Sequence, residues 1–347
     1  MVADAGQPTR RLGPGAIVRV SPTGPAGGRL GSVWLAIDRD EPRSEALDDN
    51  KLEETVVSAG LAERSARRAY LADGALAVVT LIWGSTFVVV KDALLGIGPF
   101  TFLALRFGVA FVVLVVLFHR QARRLGPDGL RAGVLIGVLL ALGYAFQTVG
   151  LRWTSASRAG FITGLSVVIV PLLAFLVLKQ RRERLVLLGV GLATLGLWLL
   201  SADSASSLGV GDLLVFGCAL AFAGHIVAIG AFAAKHEPLG LAVVQVGVVA
   251  VIASGAAVFF EAPVRLPPNS AVTAALYTGV LATAAAYAIQ NSAQRFASPT
   301  HTALIFTLEP AFAAAIAWVV AGETLGLAGL AGGVLILSGM VIAEVRR

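Results

Sequence analysis

Three ionisable residues stand in apolar surroundings: Arg106 within FLALRFGVAF, His225 within AFAGHIVAIG and Glu309 within IFTLEPAFAA. A charge at the centre of a bilayer costs about 2.5–3.5 kcal/mol on insertion scales, so each of these residues needs a partner or a task. The Arg106 guanidinium could clamp a carboxylate or phosphate through two parallel bonds, or it could hydrogen-bond backbone carbonyls between packed helices. Glu309 precedes Pro310, whose ring removes the helical bond to the Phe306 carbonyl. A carboxylate beside loosened backbone suits a proton or cation coupling site; the rival reading is a structural salt bridge at a kink. His225 is an imidazole that can change charge near neutral pH, or a hydrogen-bonded packing residue.

Neutral polar residues form a second set. Tyr144 and Gln147 are spaced i, i+3 and share one helical face, and Tyr287 and Gln290 repeat the arrangement 143 positions later. The same shift sets Arg152 on Arg295, Ser155 on Ser298, Ile162 on Ile305 and Leu165 on Leu308. It also sets Ser166 on Glu309, while a shift of 139 sets Gln245 opposite Arg106, so each copy carries a charge that the other lacks. Asn291 adds an amide beside the second pair, and Trp83 opens a Trp-Gly-Ser-Thr run where it could wall a cavity or pack on a neighbouring helix. Phenols and amides facing each other suit an organic solute better than a dehydrated metal ion; the alternative is hydrogen bonding between helices.

The elements that must position these groups are membrane spans. Of 347 residues, 57% are hydrophobic and 14% charged, with mean hydropathy +0.83, against about 25% charged in soluble domains. Ten apolar segments follow position 74, at 74–91, 99–118, 132–150, 159–178, 185–201, 212–233, 238–260, 271–290, 302–321 and 325–343. Connections on one side carry 15 Lys/Arg and those on the other carry four, which puts both termini in the cytoplasm. Residues 1–70 hold 32–37 (SVWLAI) as their apolar run and read as a disordered cytoplasmic tail. A single cysteine, Cys218, excludes a disulfide framework and a cysteine-based metal site.

The shift of 139 also sets Asp73 on Asp212 and Pro99 on Pro238, and a shift of 140 sets Glu183 on Glu323. The chain therefore divides into 74–201 and 212–343, five helices each. An odd number of spans forces the second copy to insert upside down, a plan that puts a solute site near the midplane between halves. The expected fold is an all-α polytopic membrane protein of ten transmembrane helices in two inverted five-helix repeats. Gly189 with Ala193 and Gly329 with Gly333 are matching small-residue pairs for close packing, either within the chain or at a homodimer seam.

The motifs LIWGSTF (81–87), LRF (105–107), AGFITGL (159–165) with Pro171, LEP (308–310) and Gly322-Glu323 occur in order over these halves. In this pattern the chain resembles the EamA-type transporters of the drug/metabolite transporter superfamily. The resemblance implies a secondary transporter of small metabolites, often an exporter, working by alternating access. Its partners would be a small-molecule solute and the lipid bilayer. Trp83, Arg106, Tyr144, Gln147, Gln245, Tyr287, Gln290 and Asn291 are the expected solute-binding residues, with Glu309 and His225 as coupling candidates. No enzyme is expected, since the chain has no Walker lysine motif and no HExxH, and no cofactor or nucleic acid is expected. An intramembrane enzyme and a non-transporting scaffold or channel are the competing classes.

Overall fold

The computed structural model describes residues 17–20, 33–36, 69–154, 156–179, 184–200, 209–263, 266–312, 316 and 327–344. The chain forms two units, Met1–Tyr70 and Leu71–Arg347. In the first, β1 (Ile17–Val20) and β2 (Val33–Ala36) pair antiparallel with Ile17 opposite Ala36. The apolar run at 32–37 supplies β2 and IVRV supplies β1; residues 1–16, 21–32 and 37–68 of the expected tail lie outside the described residues.

The second unit is helical. Its elements are α1 (Ala69–Ala93), α2 (Pro99–Arg123), α3 (Pro127–Gly150), α4 (Ala156–Gly164), α5 (Ser166–Leu178) and α6 (Arg184–Leu200). They continue as α7 (Val210–Phe232), α8 (Pro238–Phe260), α9 (Asn269–Ala293), α10 (Pro299–Phe306) and α11 (Leu327–Glu344). Six of these, α1, α2, α3, α7, α8 and α9, are long and apolar enough to cross a membrane. Proline opens α2, α3, α8 and α10, where its missing N–H is harmless and its fixed φ favours the helix. α7 starts with the Asp212 carboxylate accepting from the Gly209 N–H at 2.9 Å and from the Thr154 hydroxyl at 2.6 Å.

Large apolar side chains also point outward, among them Val116, Leu117, Val251 and Phe259, as they must on helices whose solvent is lipid. The chain is thus a multi-pass membrane protein. Inside, α2 packs along α8, and α3 lies against α7 and α8. Phe107, Leu140, Tyr144, Val246 and Tyr287 join α2, α3, α8 and α9 in one buried cluster.

Three departures from regular helix bear on the site. The span expected at 159–178 is broken at Leu165 into α4 and α5, and α10 ends in a turn at Thr307 before residues 308–312 resume helix. The span expected at 271–290 carries a π-turn at Val280–Ala285. Breaks like these free backbone carbonyls and are tolerated in a membrane only where protein or a cavity receives them.

The Gly189–Ala193 pair packs within the chain, whereas a Cβ on Gly333 would meet nothing within 4 Å. A Cβ on Gly339 of α11 would stand 2.6 Å from the Gly189 carbonyl and 3.1 Å from the Ala193 N of α6. Both obstacles are backbone, so neither can turn aside. Gly339→Leu is expected to separate α6 from α11 at about 2–3 kcal/mol of stability, read as a lowered unfolding temperature in detergent. Gly329 side-chain surroundings, Glu183 and Glu323 lie outside what is described.

Candidate functional site

A cavity enclosing about 850 Å³ of empty space, open solvent at its mouth included, is lined by α1, α2, α3, α4, α5, α7, α9 and α10. Trp83, Arg106, Tyr144, Gln147, His225, Tyr287, Gln290 and Glu309 all line it. It reaches Val90 in the last turn of α1 and Leu151 at the end of α3, the helix ends that lead to the Lys/Arg-poor connections.

Arg106 is 3% exposed, and its charge is met by oriented oxygens rather than by a carboxylate. Nε donates to Thr283 Oγ1 at 2.8 Å, and Nη2 donates to Tyr144 Oη at 3.1 Å and to the Ala282 carbonyl at 3.4 Å. The guanidinium also sits 4.7 Å from the centre of the Tyr144 ring, within cation–π range. Ala282 and Thr283 belong to the π-turn, which presents that carbonyl and hydroxyl toward α2. Gly279 lets the turn approach: a Cβ there would stand 2.7 Å from the Arg106 carbonyl. Among the described residues Nη1 has no protein acceptor, so two guanidinium N–H groups remain.

The two tyrosines of the repeat meet. Tyr287 Oη donates to Tyr144 Oη at 2.9 Å, and Tyr144 therefore accepts twice and keeps its own hydrogen for a further acceptor. Trp83 Nε1 donates to the Ala282 carbonyl at 2.8 Å, and its ring packs 5.8 Å from Tyr287 and 5.0 Å from Phe306. Tyr144→Phe removes an acceptor from a charged donor, whereas Tyr287→Phe removes only a neutral bond. The first is expected to cost about 2 kcal/mol and the second about 1 kcal/mol, with coupling in a double-mutant cycle read by unfolding in detergent.

The amides divide. Gln147 Nε2 donates to Thr163 Oγ1 at 3.3 Å on the cavity wall. Gln290 donates to Gln294 at 2.9 Å, which donates onward to the Ile226 carbonyl at 3.0 Å, leaving Gln290 Oε1 without a described partner. Gln245 and Asn291 do not reach the cavity. Gln245 Oε1 lies 2.7 Å from His225 Nε2, and Asn291 Nδ2 donates to the Tyr287 carbonyl at 2.8 Å. The reason is angular, for Asn291 is about 100° around the helix from Gln290. His225 touches the cavity while its ring stands edge-on, 5.7 Å from Tyr287.

Glu309 lines the cavity with Pro310, just past the break at Thr307, and makes no ion pair with Arg106 among the described residues. Ser166, its counterpart by the shift of 143, lines the same cavity just past the break at Leu165. Sequence reasoning passed over Thr283, Thr163 and Phe222. The Thr283 hydroxyl donates to the Thr278 carbonyl, five residues back, at 2.9 Å within the widened turn.

A helical membrane unit with one mid-span cavity of mixed polarity has the build of a solute carrier. The sequence pattern of the EamA-like transporter family matches twice, at residues 71–202 and 209–344, and the chain belongs to that family. An uncharacterized transporter of Archaeoglobus fulgidus is 35% identical over 275 residues, which is 79% of this chain and 86% of that one. A second from the same organism is 27% identical over 78% of this chain and 96% of its own length. The uncharacterized transporter YyaM of Bacillus subtilis is 25% identical over 76% and 90%. A crystal structure at 18% identity superposes with a TM-score of 0.68, covering 80% of this chain and 99% of the other, which speaks for the fold.

Proposed function

We propose that the chain is a secondary transporter of small organic metabolites, an exporter in the cytoplasmic membrane with both termini in the cytoplasm. Two inverted five-helix halves, 74–201 and 212–343, rock about the cavity and expose it to each side in turn. Residues 1–70 are a cytoplasmic extension. The observation that carries this reading is the contact of Tyr144 with Tyr287. Residues 143 apart touch hydroxyl to hydroxyl on the wall of one cavity, as they would if a two-fold axis in the membrane plane ran between them.

The solute is held by Arg106 Nη1 and the Tyr144 hydroxyl as donors and by Gln147, Gln290 and Glu309 as acceptors, over the aromatic floor of Trp83, Tyr287 and Phe306. Arg106 and Tyr144 favour an anionic or acceptor-rich group at one end of the solute, and the three acceptors favour a donor group at the other, on a partly apolar body. Glu309 couples the cycle to protons. The conformation is closed toward the Lys/Arg-rich side, where Asp73 Oδ1 meets His301 Nε2 at 2.9 Å and Gln294 ties α9 to α7.

The test is uptake and efflux in proteoliposomes across a panel of metabolites, with and without a pH gradient. Saturable flux of at least one solute is expected. Absence of flux under every gradient, or non-saturable flux of many solutes, contradicts the reading and favours a scaffold or a channel.

A further inference from the structure

The two ends of α2 are built differently. At its start, Glu261 accepts from the backbone N–H groups of Phe100 (2.8 Å) and Thr101 (2.9 Å) and from the Thr101 hydroxyl (2.6 Å). A carboxylate of the chain itself thus occupies that helix N-terminus, where an anion is favoured. The register that sets Pro99 on Pro238 brings Ala122 to the place of Glu261, and no side chain caps α8, which begins at Pro238.

Positive charge gathers there instead. Arg124, Lys235 and Arg295 come from three separate connections and line one pocket of about 610 Å³ together with His236. Glu237 is the one carboxylate among its lining residues, and Gly126 brings the uncapped start of α3 to the same wall. The side chains of the three cations are exposed and have no ion pair or hydrogen bond among the described residues. In the register of 139, Lys235 and Arg124 correspond to Gly96 and Pro263, so two of the three cations have no basic counterpart at the other end, while Arg295 matches Arg152 by the shift of 143. The 25 residues of α2 separate the two ends by about 37 Å, which spans a bilayer core and puts the pocket at headgroup level.

We propose that this pocket binds the phosphoryl group of an anionic phospholipid at the Lys/Arg-rich membrane surface. The phosphate oxygens take the role at the uncapped start of α3 that the Glu261 carboxylate takes at the start of α2. Basic pockets between spans suit such headgroups, and Leu125 on the pocket wall adds apolar surface. The proposal rests on the membrane fold and is independent of whether the chain transports.

The experiment uses the full chain in a neutral detergent, titrated with phosphatidylglycerol, phosphatidylcholine or inorganic phosphate at matched ionic strength. Bound lipid is counted by native mass spectrometry and stabilisation is read from the unfolding temperature. Phosphatidylglycerol is expected to bind and stabilise, while phosphatidylcholine does neither. Arg124→Gln, Lys235→Gln and Arg295→Gln should each weaken binding about fivefold, and the triple variant about a hundredfold. Glu237→Gln should tighten it, a gain that misfolding cannot imitate. Equal binding of the two lipids, or unchanged binding by a folded triple variant, overturns the proposal and leaves these cations as topology signals. Stabilisation by inorganic phosphate matching that of the lipid overturns the lipid assignment in favour of a soluble phosphate.

Discussion

Arg106→Gln is expected to lower solute flux at least about a hundredfold in proteoliposomes. The guanidinium is the one cation lining the cavity, and it retains Nη1 toward the solute after Nε and Nη2 have been taken by Thr283, Tyr144 and the π-turn carbonyl. A hydrogen bond to a charged group contributes about 1.5–3 kcal/mol, so losing two donors to a solute anion corresponds to that fold-change. Arg106→Lys keeps the charge but presents a point donor in place of a planar fork. It cannot bridge Thr283, Tyr144 and a solute together, and flux should recover only in small part. Flux at wild-type level in a folded Arg106→Gln protein would remove the solute-binding role and leave Arg106 as a clasp between α2, α3 and α9.

Glu309→Gln should abolish the dependence of flux on a pH gradient while leaving solute exchange measurable. The substitution preserves shape and one acceptor oxygen, so Pro310 and the break at Thr307 stay as they are. What it removes is the capacity to take up and release a proton inside the cavity. The counterpart Ser166 supplies the internal control: it lines the same cavity past the same kind of break but cannot carry a proton near neutral pH. Ser166→Ala should change affinity for solute without altering the gradient dependence. Gradient-driven flux that survives Glu309→Gln would transfer coupling to another group, with His225 the next titratable residue on the wall.

Much of the fold was legible because each span is a long apolar run bounded by Pro, Gly or a charge. The opening prolines at 99, 127, 238 and 299 all begin helices, although α3 starts at Pro127 and not at 132. The i, i+3 spacing placed Tyr144 with Gln147 and Tyr287 with Gln290 on common faces, and the cavity receives both pairs. Periodicity failed for Asn291 and Gln245. A polar residue in an apolar helix faces a cavity or a neighbouring helix, and only the packing of α7 against α8 and α9 decides which. The π-turn was not legible in an Ala- and Thr-rich stretch without charge or proline, since its cause lies in Arg106 on another helix. The β1–β2 pairing was not legible: the run at 32–37 carried no strand reading, and IVRV, β-branched at three of four positions, is too short to show a period.

The central claim, a single cavity reached from each side in turn, is tested most directly by cysteine accessibility, which needs no identified solute. Cys218 is the one cysteine of the chain and is buried, so Cys218→Ser gives a silent background into which Gln147→Cys places a thiol on the cavity wall. A membrane-impermeant thiol reagent is applied to sealed vesicles of either orientation, with and without an imposed pH gradient. The account predicts labelling from both faces at rates that the gradient shifts in opposite directions. Equal labelling from both faces, unmoved by any gradient, would contradict it in favour of a channel, and labelling confined to one face under every condition would contradict it in favour of a static scaffold.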